Sequence, residues 1–97
     1  MSETDDELDG LLRALANPHR RLIVQACWDD ERTAGDLAEL LVLAPASASE
    51  HLKVLRKHRL VDMRVEGTFR IYRSRPEALA RLSHLLGTTF PEPEEAP

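Results

Sequence analysis

Apolar residues recur at helical spacing in five stretches of the chain and alternate with polar residues in one further stretch. The alternating stretch runs from Val61 to Arg73 around Glu66-Gly67-Thr68, which is typical of a β-hairpin. The order α-α-α-α-β-β-α predicts a mainly α fold with a small β-hairpin. The pattern leaves open whether Ile71 or Tyr72 of the second strand faces the core.

Short polar signals mark where several of these helices begin. Asn17-Pro18 has the form of an N-cap and first residue of the second helix, and Thr33 with Asp36 has the form of a capping box before the third. Pro45 suits the first position of the fourth helix, which we expect to end near His58. In the second helix, the residues predicted to face inward are Leu22, Ile23, Ala26 and Cys27.

The third and fourth helices are predicted to form a helix-turn-helix. About three residues separate Leu41 from Pro45, and so short a link allows only a tight turn between two helices that cross at a large angle. The hairpin that follows would then be the wing of a winged helix-turn-helix.

The fourth helix, 45–58, has one apolar side and one small, polar, cationic side. At 100° per residue, the apolar sector contains Ala48, Leu52 and Leu55, and the opposite side contains Ala46, Ser49, Glu50, Lys53 and Lys57. Small side chains permit close approach to DNA bases, and lysines at the rim can meet phosphates. This face suits a DNA major groove.

The distribution of charge supports this interpretation although the whole chain of 97 residues has a net charge of −4. Residues 51–75 hold eight Lys/Arg against two acids, whereas acids dominate both ends of the chain. Screening acts over about 8–10 Å at physiological salt, so a local basic face can bind phosphate while distant acids lower nonspecific affinity. The alternative is that the segregated charges are only solvated surface.

The length indicates one small domain, which we place at residues 8–87, between a disordered acidic lead at 1–7 and a disordered acidic tail at 88–97. The sequence shows no membrane span and no signal-peptide pattern, and its single cysteine cannot form an internal disulfide. We therefore expect a cytoplasmic protein without a membrane partner.

Four successive motifs resemble those of ArsR-type bacterial transcriptional regulators, the arsenic-repressor family. They are L-L-R-A-L-A-N-P-H-R at 11–20, D-L-A-E-L-L at 36–41, S-E-H-L-K-V-L-R-K-H-R-L-V at 49–61 and E-G-T-F-R-I-Y-R at 66–73. The resemblance covers roughly residues 8–80. It implies a homodimeric winged helix-turn-helix regulator of double-stranded DNA, most often a repressor that occupies a palindromic operator.

By this resemblance, the DNA contacts would come from the fourth helix and the wing. Alternatives remain for several of them: Glu50 could instead pair with a neighbouring lysine, His51 could make a structural hydrogen bond, and the wing could be a solvated hairpin. Ala44 replaces the hydroxyl N-cap common in the family, and Ala48 replaces a commoner branched residue. The candidate DNA-binding residues are Ser47, Ser49, Glu50, His51, Lys53, Lys57, Arg64, Gly67, Thr68 and Arg70.

The leucine stripes of the first and last helices contain more apolar side chains than so small a core needs. In the family these two helices form the dimer interface, and a dimer would place two recognition helices about 34 Å apart, one turn of DNA. The alternative is that both stripes are buried within the monomer. The candidate interface residues are Leu8, Leu11, Leu12, Leu15, Leu79, Leu82, Leu85 and Leu86.

Metal sensing and catalysis are not expected. Thr33 and Gly35 stand where a Cys-x-Cys metal site of the family would lie, and the last helix offers only His84. Cys27 lies on an apolar helix face and is interpreted as a core residue, and no catalytic triad or phosphate loop is present. We therefore predict no enzyme activity, no metal and no cofactor, and the sequence does not identify an effector.

Two rival hypotheses for the function are a winged-helix protein-interaction module and a metal- or redox-responsive member of the same family.

Overall fold

A computed structural model describes residues 2–94 and shows five helices and a three-stranded antiparallel sheet. This confirms the predicted winged helix-turn-helix fold. No helix among the described residues is long and apolar enough to cross a bilayer. The elements are α1 (Glu3–Leu15), α2 (Pro18–Ala26), β1 (Arg32–Thr33), α3 (Ala34–Leu41), α4 (Pro45–Lys57), β2 (Val61–Glu66), β3 (Phe69–Ser74) and α5 (Pro76–Thr89).

The sheet has the strand order β1-β3-β2, so the wing hairpin gains a third strand that the sequence analysis missed. Strand β1 pairs Arg32 with Tyr72 and is only two residues long, too short to show an alternating pattern. The hairpin closes at Gly67, whose φ of +61° lies in the left-handed region that glycine adopts at little cost.

The second wing strand turns Tyr72 toward the core, which answers the question left open by the sequence. Tyr72 is 5% exposed, whereas Ile71 is half-buried on the other side of the sheet. Ser74 lies on the same side as Tyr72, and its buried hydroxyl donates a hydrogen bond of 2.6 Å to the Val24 carbonyl of α2. This contact fixes the end of the wing against the helical core.

One core joins all five helices and the sheet. Its α2 contribution differs from the predicted set, because Leu22 is 48% exposed and Val24 is buried in its place. The inward side of α2 is centred between Ile23 and Val24, and Leu22 lies about 100° around the helix from Ile23. The buried cluster contains Leu8, Leu11, Ala14, Ile23, Val24, Cys27, Leu37, Leu52, Leu55, Leu60, Val61, Tyr72 and Leu85.

Helix α1 begins earlier than predicted, since residues 3–7 of the expected disordered lead are helical. The Asp5 amide donates to the Ser2 hydroxyl at 3.2 Å, and acidic residues in the first turn favour the positive end of the helix dipole. Glu7 also accepts two hydrogen bonds, of 2.8 and 2.9 Å, from the Arg81 guanidinium of α5. A serine cap and a distant arginine therefore order this segment.

At the other end, α5 continues past Gly87 to Thr89, so the predicted tail at 88–97 begins inside the helix. Residues 91–94 have no regular secondary structure. The last three residues of that predicted tail, 95–97, lie outside the described residues, as does Met1.

Gly10 brings α1 into close contact with the end of α4. A Cβ atom at this position would lie 2.7 Å from the His58 ring, which is too close for any side chain. Gly10 therefore provides the space for the ring of His58, the C-cap residue of α4.

Candidate nucleic-acid interface

The turn before α4 sets the direction of the helix. The capping box predicted for α3 is present: the Asp36 amide donates to the Thr33 hydroxyl at 3.0 Å, and the Thr33 amide donates to the Asp36 carboxylate. Val42 ends α3 in the left-handed region with φ +53°. Helix α4 starts at Pro45 after Ala44, which forms no side-chain cap, in agreement with its missing hydroxyl.

The two sides of α4 are separated as the sequence predicted. Ala48, Leu52 and Leu55 are buried in the core, and this burial fixes the rotation of the helix. The predicted DNA-facing residues Ser47, Ser49, Glu50, Lys53 and Lys57 are all exposed. A core-anchored helix thus presents a fixed polar surface.

Glu50 forms no ion pair within 4.0 Å with either lysine of this face in the described part of the chain. The alternative role proposed for it from the sequence is therefore not seen in this structure. Its carboxylate stays available as a hydrogen-bond acceptor on the exposed side of α4.

A groove of about 500 Å³ lies between α4 and β3 and collects most of the polar face. Four cations and one carboxylate line it, so its local charge is strongly positive. Arg56 belongs to this groove and was not among the predicted contacts, although its spacing of i+3 from Lys53 placed it on the flank of the same face. The lining residues are Ala34, Ser49, Glu50, Lys53, Arg56, Lys57, Arg70 and Tyr72.

The wing brings one of its two predicted arginines to this groove and not the other. Arg70 lies on the Tyr72 side of β3 and lines the groove. Arg64 lies on the outer face of the sheet, because β2 pairs it with Ile71 rather than with Tyr72. Its Nη2 atom is 2.6 Å from Glu31 Oε2, and its Nη1 atom is 2.6 Å from Glu66 Oε2. Two carboxylates thus neutralise Arg64 on the face opposite the groove.

The wing tip itself is open. Gly67 and Thr68 are both exposed, and a Cβ atom on Gly67 would meet nothing within 4 Å. The tip can therefore approach a duplex without displacing any other part of the described chain.

His51 contacts a second histidine rather than a hydrogen-bond partner. Its ring centroid lies 5.6 Å from that of His19 at the start of α2. Burial lowers the pKa of His51, and the nearby charges of Arg20 and His19 lower it further. His51 is therefore mainly neutral at neutral pH, and it offers a base or phosphate a hydrogen bond but no full charge.

The predicted dimer residues divide into two groups. Leu8, Leu11 and Leu85 are buried where α1 packs on α5, so this part of the stripes belongs to the monomer core. Leu12 is 43% exposed, and the remaining members are only partly buried: Leu15, Leu79, Leu82 and Leu86. An apolar surface consequently remains along the α1–α5 pair.

Cys27 is a fully buried free thiol at the end of α2. Burial raises its pKa to about 11, although the nearby Arg32 charge opposes this shift. The thiol is therefore protonated at neutral pH, and thiolate is the reactive and metal-binding form. Among residues 2–94, no group of three or more His, Cys, Asp or Glu side chains is arranged to hold a metal ion.

A helix-turn-helix whose second helix shares a cationic groove with a β-hairpin defines the class of winged-helix DNA-binding proteins. A helix-turn-helix domain family matches residues 15–64. The HTH-type transcriptional regulator Rv2034 of Mycobacterium tuberculosis is 40% identical over 76% of this chain and 69% of its own length. The biofilm growth-associated repressor of Agrobacterium fabrum is 33% identical over 98% of this chain and 81% of its own.

Solved structures agree with these relatives. The homodimeric winged helix-turn-helix DNA-binding domain of Mb0332 from Mycobacterium bovis, described as a possible ArsR-family transcriptional regulator, is 30% identical. It superimposes with a TM-score of 0.73 and matches 92% of this chain and 86% of that domain. The chain belongs to the ArsR-type family of winged helix-turn-helix transcriptional regulators, and it is a DNA-binding regulator.

Proposed function

We propose that this protein is a homodimeric transcriptional repressor that reads a palindromic operator. Helix α4 enters the major groove of each half-site, and the wing tip lies on the flanking backbone or minor groove. The observation that carries the proposal is the groove between α4 and β3, where Lys53, Arg56, Lys57 and Arg70 surround an exposed face of small polar side chains.

The residues of α4 divide between base contacts and phosphate contacts. Ser47 and Ser49 are short, so they allow the helix backbone to approach base edges, and their hydroxyls can donate or accept. Glu50 can accept from a cytosine amino group. The cations that line the protein groove could bind phosphates at the rim of the DNA major groove. Such contacts position the protein along the duplex without reading its sequence.

Dimerisation is supported by the apolar surface left on α1 and α5. Leu12, Leu82 and Leu86 are not fully covered by the monomer, and a two-fold interface would bury them against the same residues of a second copy. The Mb0332 domain is described as homodimeric. Two α4 helices related by a two-fold axis would read inverted half-sites, which is why we infer a palindrome.

Repression would follow from occupancy of promoter DNA, since a bound dimer prevents other proteins from binding the same sequence. One relative of similar length is named a repressor. A promoter-reporter assay with the selected operator should show less expression when the protein is present, and a rise in expression would contradict the repressor assignment.

Selection of bound sequences from random duplex DNA tests the proposal most directly. We expect an inverted repeat whose half-site centres are about 10 base pairs apart. The double variant Lys53→Ala/Arg70→Ala should enrich the repeat much more weakly under the same conditions, whereas Arg73→Ala, on the outer face of the sheet, should enrich it as the wild type does. Enrichment of a single unrepeated site would contradict the dimeric reading.

Light scattering on the purified chain tests the dimer separately. Leu12→Glu places a charge in the α1–α5 apolar surface and should give a monomer, because burying an unpaired charge is costly. Leu22→Glu is the matched control, because Leu22 is similarly exposed but lies on α2 outside that surface. Equal masses for the two variants would argue against this interface.

A further inference from the structure

A second cleft, of about 320 Å³, lies behind the DNA-facing groove. It is formed where the end of α4 meets α1 and the start of α5. Leu11 and Ala78 supply an apolar part of its wall, and charged groups supply most of the rest. The lining residues are Glu7, Leu11, Lys57, His58, Arg59, Arg75, Glu77, Ala78 and Arg81.

The cleft is cationic, and its cations differ in how they are paired. Arg81 forms an ion pair with Glu7. The Arg75 guanidinium forms two, because its Nε lies 3.1 Å from Glu77 Oε1 and its Nη1 lies 3.2 Å from Asp62 Oδ1. No carboxylate of the described chain lies within 4.0 Å of the Lys57 ammonium or the Arg59 guanidinium. Two of the positive charges that line the cleft therefore have no carboxylate partner in the described chain.

His58 also lines the cleft, and of the three cations that act on its ring only Lys57 is a cleft residue. Burial lowers the pKa of His58, and the charges of Lys57, Arg13 and Arg20 lower it further. The ring is therefore mainly neutral at neutral pH and can donate one hydrogen bond. An anion in the cleft would reduce the electrostatic repulsion between Lys57 and Arg59, which line it without a carboxylate partner.

Lys57 connects the two cavities, because it is a lining residue of both the cleft and the groove between α4 and β3. A single ammonium group cannot neutralise a DNA phosphate and a second anion to the same extent. Occupancy of the cleft would consequently weaken the contribution of Lys57 to DNA binding.

We propose that this cleft is an effector site for a small polyanion bearing carboxylate or phosphate groups, and that the bound anion opposes DNA binding by drawing Lys57 out of the groove. The cleft lies near the lower limit of volumes that accommodate small ligands, so a compact anion of citrate or phosphate size fits it better than a nucleotide. This regulation rests on the proposed DNA-binding function.

The binding half of the proposal can be tested without DNA. Citrate and inorganic phosphate are titrated separately into the isotope-labelled protein, at constant ionic strength kept with NaCl. Backbone signals of Leu11, His58 and Ala78 should move saturably with at least one of the two anions, and the tighter one identifies the chemical class. Absence of a saturable shift with both anions would overturn the proposal.

Arg59→Gln is the test variant, because it removes an uncompensated charge of the cleft and leaves the groove residues intact. Arg59 has φ +58°, and glutamine keeps the same backbone constraint as arginine. The matched control is Arg73→Gln, since Arg73 is exposed on the outer face of the sheet and lines neither cavity. The shifts should disappear in Arg59→Gln and persist in Arg73→Gln.

The regulatory half uses the affinity for the selected operator, measured by fluorescence anisotropy with citrate, with inorganic phosphate, or with NaCl of equal ionic strength. Loss of one phosphate contact corresponds to about a five-fold decrease in affinity at ~0.15 M salt. Wild type and Arg73→Gln should show a decrease of this size with the anion that binds, and Arg59→Gln should not. An equal decrease in all three would indicate general screening and overturn the proposal, as would saturable binding of the anion without any effect on DNA.

The two proposals fail in distinguishable ways. If the protein binds no duplex even without citrate, the proposed function fails while the citrate titration of the free protein still reports on the cleft. If operator binding is intact and insensitive to both anions, only the effector site is refuted.

Discussion

Each face of the wing sheet carries an arginine, and the two arginines have different surroundings. Arg64 and Arg70 each lie three positions from Gly67 in the sequence, and nothing in their neighbours distinguishes a DNA-binding arginine from a structural one. In the fold, Arg70 joins the lysines of α4 in an open groove, whereas Arg64 lies between Glu31 and Glu66 on the far side.

This difference follows from strand register. The hairpin pairs Val65 with Arg70 and Arg64 with Ile71, so the two arginines point to opposite faces. A cation contributes most to phosphate binding where it faces the duplex and lacks a carboxylate partner. The number of arginines in the wing is therefore a poor guide to its affinity for DNA.

The largest expected effect is the loss of operator affinity when two positive charges are removed from the groove between α4 and β3. Lys53→Ala/Arg70→Ala should weaken operator binding by about 25-fold at ~0.15 M salt and lower the slope of log K against log salt by about 1.8, because two phosphate contacts are lost. Anisotropy titrations at several salt concentrations measure both quantities. Arg64→Ala/Arg73→Ala removes the same charge from the outer face and should change the affinity by less than about three-fold.

Single substitutions compare the two wing arginines directly. Arg70→Ala should cost about five-fold in affinity and reduce the salt slope by about 0.9, whereas Arg64→Ala should cost less than about two-fold. The reason is that Arg64 is already neutralised by two carboxylates. Equal losses of affinity in the two variants would show that both arginines contribute equally to DNA binding, and the inferred difference between the two faces of the sheet would be wrong.

A smaller effect is expected from releasing Arg64. Glu31→Gln removes one of its two carboxylate partners and should raise nonspecific DNA affinity by about two-fold, because exposed ion pairs are individually weak and partly screened. The gain is measured with random duplex at low salt. The matched control is Asp9→Asn, which adds the same charge at an exposed position outside every ion pair of the described chain. An equal gain in Asp9→Asn would assign the effect to overall charge instead.

The smallest effect concerns the pH dependence of stability that arises from His51 in α4 and His58 at its C-terminal end. The pKa values of His51 and His58 are lowered in the folded chain, chiefly by burial, so the unfolded chain binds more protons near pH 6. Their stabilising contribution is complete above the ordinary histidine pKa of about 6.5 and is lost as pH falls below it. Urea midpoints should therefore be lower at pH 5.5 than at pH 7.5, and His58→Asn should reduce that difference.

Glu7 does not interfere in this range. Hydrogen bonds from Arg81 lower the pKa of Glu7, so the stability that Glu7 provides is present above its ordinary pKa and is lost only in stronger acid. A loss of stability confined to pH below 5 would contradict the assignment to histidine.

Local signals were enough to predict the helix-turn-helix. The Thr33–Asp36 capping box, Pro45 and the short link before it act within a few residues, and they fixed α3, the turn and the start of α4 correctly. The spacing of Ala48, Leu52 and Leu55 also determined which face of α4 is exposed, because a helix of known period has only one way to bury a narrow apolar stripe.

Long-range contacts decided the remaining features. Strand β1, the early start of α1 and the exposure of Leu22 each depend on partners far along the chain, and a hairpin pattern cannot show which face meets a helix. The opposite fates of Arg64 and Arg70, and the position of Lys57 between two cavities, likewise arise only when α4, α5 and the sheet pack together. Sequence alone determined the start and the exposed face of α4 because those signals are local. The fold decided which cations surround α4 because charge pairing depends on distance in space.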